Sequence, residues 1–175
     1  MSTLKRAALL LVFLAMRPLA AQAQAPAVHG HLVYEHLVLS GGGERSQSTP
    51  GLVADLSLGL PMGNESVLGN LGLRVGAGEE GQRLAPHLFL RVLGGDETWK
   101  TFFDVGLLAR LEPSWSAGAR MGIGLMRELG RHVGIFVAAG GSAGFGERRH
   151  IGFDGGIGFQ LRFGSSSHVV YDYVH

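Results

Sequence analysis

The stretch Ile151-Gly152-Phe153-Asp154-Gly155-Gly156-Ile157-Gly158-Phe159-Gln160-Leu161-Arg162-Phe163 decides the fold. Apart from Gly155, its odd positions are Ile, Phe or Leu; its even positions are Gly, Asp, Gln or Arg. A period of two belongs to an extended strand with two unlike faces. Upstream, Leu52, Ala54, Leu56, Leu58 and Leu60 alternate in the same way with Val53, Asp55, Ser57 and Gly59. Reading outward from these two segments predicts eight strands, at 28–39, 51–61, 67–78, 84–93, 101–111, 115–127, 133–140 and 151–163. The pieces between them (40–50, 61–66, 79–83, 94–100, 112–114, 128–132 and 141–150) are mostly marked by Gly, Pro, Asn, Asp and Ser, the residues that turns demand. The fold class that follows is all-β: a closed antiparallel up-and-down transmembrane β-barrel of about eight strands.

Alternation alone does not say which face looks outward. A soluble carrier barrel is apolar inside, whereas a membrane barrel is apolar outside. The minor face decides. It holds Gly72, Gly76, Gly106, Gly118, Gly122, Gly124, Gly134, Gly152, Gly156 and Gly158. Glycine inside a strand weakens it through backbone entropy, so a water-facing surface gains nothing from it. A narrow lumen does gain, because it has to be filled without overpacking. The same face carries charges of both signs: Asp55, Asp104 and Asp154 against Arg74, Arg91, Arg110, Arg120 and Arg162. Glu35 is a further candidate, on a strand (28–39) whose pattern leaves its facing open. Charges turned into a narrow lumen must pair. The expectation is a salt-bridged plug, with an ion path as the alternative. Trp99 and Trp115 flank strand 101–111 as candidate interfacial anchors.

The N-terminus reads as a targeting segment: Lys5 and Arg6, an apolar run from Ala7 to Met16, then the small-x-small site Ala21-Gln22-Ala23. The division expected is a signal peptide over 1–23, the barrel over 24–163, and a tail or extra strand over 164–175. Removing Lys5, Arg6 and Arg17 takes 15 basic residues to 12 against 14 acidic ones, so the formal charge moves from +1 to −2. That is no footprint for nucleic acid. The chain has no cysteine, which removes disulfides and thiolate metal sites. After the signal the only lysine is Lys100, unlike the mixed Lys and Glu surface of a soluble secreted domain.

The end of the last strand, Gly158-Phe159-Gln160-Leu161-Arg162-Phe163, resembles the C-terminal β-signal of bacterial outer-membrane proteins. With the signal peptide and the strand count, the chain is similar to small eight-stranded outer-membrane proteins of the OmpA/OmpX-type barrel class. The resemblance is one of architecture and covers nearly all of the chain after residue 23. It implies the bacterial outer membrane, periplasmic termini, outer-membrane lipids as surroundings, and the barrel-assembly machinery as partner during insertion. It departs from the class at its end, where Gly164 to His175 follow the signal. Val169, Tyr171 and Tyr173 alternate there with Val170, Asp172 and Val174, so either the strand count or the closing strand is open to change.

Motifs with chemistry are sparse. Gly76-Ala77-Gly78-Glu79-Glu80-Gly81 matches G-x-G-x-x-G but opens no helix, and its two glutamates repel phosphate. Gly140-Gly141-Ser142-Ala143-Gly144 matches a nucleophile elbow without the helix that elbow requires. His29 and His31 share a strand face as half of a metal site, but no third ligand is well spaced, and a partly exposed pair is the plainer reading. Ser167, His168 and Asp172 supply triad residue types, yet adjacent strand residues point to opposite faces. Of the predicted outward loops only 40–50 and 141–150 are long, and the second holds Arg148, Arg149 and His150. That cluster reads as a solvated charged loop or as a contact for lipopolysaccharide phosphates. The functional expectation is a monomeric, non-enzymatic barrel with a filled lumen, structural or surface-binding, with no cofactor or metal. The alternatives are a lipid-modifying outer-membrane enzyme (lipid A deacylase-like) and a soluble periplasmic lipocalin-like carrier.

Overall fold

The computed structural model describes residues 26–41 and 43–163. Eight strands run in order: β1 (Ala27–Gly41), β2 (Glu44–Met62), β3 (Asn64–Gly78), β4 (Gly81–Gly95), β5 (Trp99–Arg110), β6 (Ser116–Glu128), β7 (Val133–Gly146) and β8 (Arg149–Arg162). Each pairs antiparallel with the next, and β8 returns to pair with β1, so the sheet closes and leaves no edge along the wall. The expected closure, with Gly158–Phe163 against the first strand, is seen in the register Gly30↔Phe159 and Val28↔Leu161. The expected signal peptide over 1–23 and the expected tail over 164–175 lie outside the described residues.

Alternation sorts the side chains. On β3 the even residues Leu68, Asn70 and Arg74 are buried in the lumen, while Leu73 and Val75 are exposed on the outer wall. The same parity places the ten glycines of the minor face inside. The lumen is as narrow as the glycine argument required. A Cβ at Gly124 would collide with the Phe102 ring, and one at Gly158 with the Phe136 ring. Leu56, Leu73, Leu90 and Val105 are all exposed outward. Leu52 and Leu56, which would line the lumen of a carrier, stand 56% and 60% exposed on the outer wall. An apolar lumen for carriage is therefore absent at these positions.

Strand ends differ from the sequence expectation at one end of the barrel. The stretches 40–50 and 141–150 are not long loops. Leu39↔Gln47, Gly41↔Glu44 and Gly144↔His150 continue the ladders almost to the turns. Ladder hydrogen bonds need no apolar side chains, so polar and glycine-rich segments that read as turn chemistry extend as strands above the apolar band. The opposite end, where β1 begins and β8 ends, carries the short connections at Gly63, Asp96–Thr98 and 129–132. Trp99 lies at this near end and Trp115 at the far end, both exposed outward.

Candidate functional site

The lumen is the chemically distinctive part of the molecule. Glu35 on β1 settles the open question of that strand: its odd residues point inward, and Glu35 is 1% exposed. Its carboxylate accepts from Arg110 Nη2 at 2.9 Å and from Arg83 Nη1 at 3.1 Å, and it lies 3.5 Å from Arg74 Nη1. Arg74 donates to Asp154 Oδ2 at 2.8 Å and sits 3.7 Å from Asp55, its register partner across β2 and β3. Asp55 also accepts from His87 Nε2 at 3.0 Å and approaches Arg120 at 3.7 Å. Deeper still, Arg91 forks onto Asp104 through two bonds of 2.8 Å each, and its guanidinium lies 4.0 Å from the centre of the Phe102 ring.

Of the eight residues expected in the lumen network, Asp55, Arg74, Arg120 and Asp154 join in one cluster, Arg110 reaches it through Glu35, and Arg91 and Asp104 form a separate pair beneath it. Arg162 does not join them. It sits at the near mouth, where it pairs with Glu128 at 2.7 Å beside Lys100, and with the Gln160 amide turned so that its oxygen accepts from Arg162 while its nitrogen donates to His29. His29 is buried here and is not a partly exposed surface group. The sequence pattern does not single out Arg83 or His87; Arg83 falls in the 79–83 segment, which Gly81 marks as a turn. Its spacing of eight from Arg91, on the same inner parity, was the signal that would have found it.

Below the charges lies an apolar layer of Leu68, Leu93, Phe102, Met126 and Phe136. Phe102 and Phe136 meet edge to face at 5.5 Å. Between the layers a cavity of about 20 Å³ is lined by His29, His31, Arg91, Arg120, Asp55 and Asp154, among others. It has room for about one water.

The far-end cluster divides. Arg148 bends onto the β1–β2 hairpin and donates to Gln47 Oε1 at 3.0 Å. Arg149 is exposed, over the Phe145 ring. His150 is 1% exposed inside the barrel, with Nδ1 2.7 Å from Ser116 Oγ, so it is withdrawn from any contact with outer lipid phosphates. Ladder parity explains this: a strand from Arg149 onward must turn every second side chain inward. Ser116 and His150 are a hydroxyl–imidazole pair, but Nε2 of His150 has no acid to orient it, and both groups are buried. The elbow-like Gly140–Gly144 is an ordinary part of β7, and Gly76–Gly81 spans the β3–β4 hairpin. Ser167, His168 and Asp172 lie outside the described residues. At that hairpin burial raises the Glu80 carboxyl, yet hydrogen bonds from Arg83 and Thr49 outweigh it and hold Glu80 below the usual carboxylate range.

This fold belongs to a definite class, the closed eight-stranded up-and-down barrel of OmpA/OmpX-type architecture. The crystal structure of Neisserial surface protein A (NspA) is similar, with a TM-score of 0.61 at 10% identity over 79% of this chain and 97% of that one. A de novo designed transmembrane β-barrel (TM-score 0.45, 10% identity, 81% and 100% covered) and the outer membrane protein OprG from Pseudomonas aeruginosa (0.39, 11%, 82% and 98%) also match. At such identities the likeness is one of fold. No protein-family model matches the sequence, and neither does any curated protein.

Proposed function

We propose that this chain is a monomeric barrel of the bacterial outer membrane with a filled lumen and a non-enzymatic role, structural or surface-binding. One observation carries the reading: apolar residues form most of the outer wall, while the charged residues that point into the lumen form ion pairs. Only a lipid exterior rewards that inversion. The fold shared with NspA, a surface protein, supports it. In this reading the termini face the periplasm and the barrel-assembly machinery inserts the chain. Arg149, exposed over Phe145 at the far rim, is the remaining candidate for lipopolysaccharide phosphates.

The test is placement. Cells expressing Leu56→Cys are fractionated, and the outer-membrane fraction is treated with lipid-phase and water-phase thiol probes. Lipid-phase labelling of a heat-modifiable band is expected. Labelling from water alone, or recovery as a soluble periplasmic protein, overturns the reading.

A further inference from the structure

The outer wall carries an oblique trench, and its lower end is built like a headgroup site. Register partners across five ladders align Trp99, Arg127, Ile135, Phe159, Gly30 and Leu56 in one row on the outward parity. The parallel row, two residues further up each strand, is Leu125, Val137, Ile157, Leu32 and Ala54. The hollow along the rows is an open groove with about 950 Å³ of space. The Phe159 ring covers Gly30 and forms the floor there, while Ala54 contributes little bulk at the upper end.

The rows climb. Trp99 is the first residue of β5 at the near end, Phe159 is the fourth from the end of β8, and Leu56 is the seventh from the end of β2. Five strand spacings of about 4.8 Å give a trench of roughly 24 Å. With strands tilted about 45°, that trench rises by about 17 Å. One leaflet of hydrocarbon, half of a core about 30 Å thick, is roughly 15 Å. The trench thus begins at the near membrane surface and ends close to mid-bilayer.

Its lower end is charged. Arg127 is exposed on the outer wall and, among the described residues, has no ion-pair partner. Its guanidinium stands 5.6 Å from the centre of the Trp99 ring. An arginine without a carboxylate partner, beside an interfacial tryptophan at the foot of an apolar trench, matches a phosphate with its acyl chain running up the trench. Guanidinium takes phosphate oxygens by paired hydrogen bonds, and the indole belongs at headgroup depth.

We infer that the Arg127–Trp99 corner and the trench above it bind one glycerophospholipid of the near leaflet, phosphate on Arg127 and acyl chain between the two rows. The inference rests on the membrane reading above. The full chain is reconstituted in vesicles of equal parts phosphatidylglycerol and phosphatidylcholine, floated, extracted gently, and weighed by native mass spectrometry. Wild type should float and retain one phospholipid. Arg127→Ala, which removes the cation, and Ala54→Phe, which fills the upper trench, should each lose at least tenfold in retained lipid while still floating. Arg149→Ala at the opposite end should retain it. Floating protein whose retention ignores both Arg127→Ala and Ala54→Phe overturns the site alone. So does added lipopolysaccharide displacing the phospholipid from wild type. A chain that fails to float overturns the membrane reading and the site together.

Discussion

Glu35 holds three guanidinium groups, from β3, β4 and β5, which makes it the residue on which the lumen depends most. Removing one partner of a buried ionic cluster leaves uncompensated charge, typically at a cost of about 3–5 kcal/mol. Glu35→Gln is therefore expected to lower unfolding stability by about that amount, read by urea titration of Trp99 and Trp115 fluorescence in vesicles. Leu73→Ala on the outer wall should cost far less, since lipid fills the space. Equal losses would show that the lumen network contributes nothing special. The pattern of β1 could not reveal Glu35, because Val33, Leu37 and Leu39 inside are as apolar as Leu32 and Val38 outside. A strand with two apolar faces has no readable parity. The Ser116–His150 pair belongs at this scale too. A fluorophosphonate should leave Ser116 unlabelled, because the hydroxyl is buried and the imidazole has no acid behind it. Labelling that disappears in Ser116→Ala would revive the enzyme reading.

At the scale of elements, β8 is legible from Ile151 onward, and the far-end hairpins, with Arg149 and His150, are not. Ile151 to Phe163 alternates cleanly because one face forms the apolar outer wall and the other a crowded lumen. Beyond the apolar band both faces of β2 between Glu44 and Thr49 are polar, so nothing in composition separates strand from loop. The near-end turn between β4 and β5 shows the opposite case, where turn chemistry is local and readable. Asp96 Oδ1 accepts from the backbone N–H of Trp99 at 2.7 Å and of Thr98 at 2.8 Å. Those donors favour the carboxylate and hold its pKa below the usual value. The sign follows: a depressed folded-state pKa adds stability at neutral pH, which is lost as pH falls below the unfolded value and through the folded one. Acid should thus loosen this hairpin, read as a loss of protection of the Thr98 and Trp99 amides relative to their intrinsic exchange rate at each pH. Asp96→Ala should leave those amides unprotected throughout and lose the acid step. An unchanged step in the variant would assign the titration to another group.

Across the whole molecule the lumen is stratified, and the strata differ in what they can block. The upper charged layer can exchange partners, since Arg74 already lies within 4 Å of three carboxylates. A rearranging ionic network alone would make an unreliable seal. The apolar layer of Leu68, Leu93, Phe102, Met126 and Phe136 has no such freedom, because the two rings are seated over Gly124 and Gly158 and meet edge to face. It offers a passing ion no replacement for its hydration shell, and desolvating a charge there is prohibitive. Closure should therefore reside in the apolar layer. In planar bilayers the wild-type protein should show no steady current, and Glu35→Gln, although less stable, should stay closed. The double replacement Phe102→Ala with Phe136→Ala removes both rings and should admit water and ions. Each large-to-small change costs about 3–5 kcal/mol, so the heat-modifiable form is confirmed before recording. Steady ion-selective conductance by wild type would make this a small pore. Current in Glu35→Gln with none in the folded double variant would move the seal up to the ion pairs.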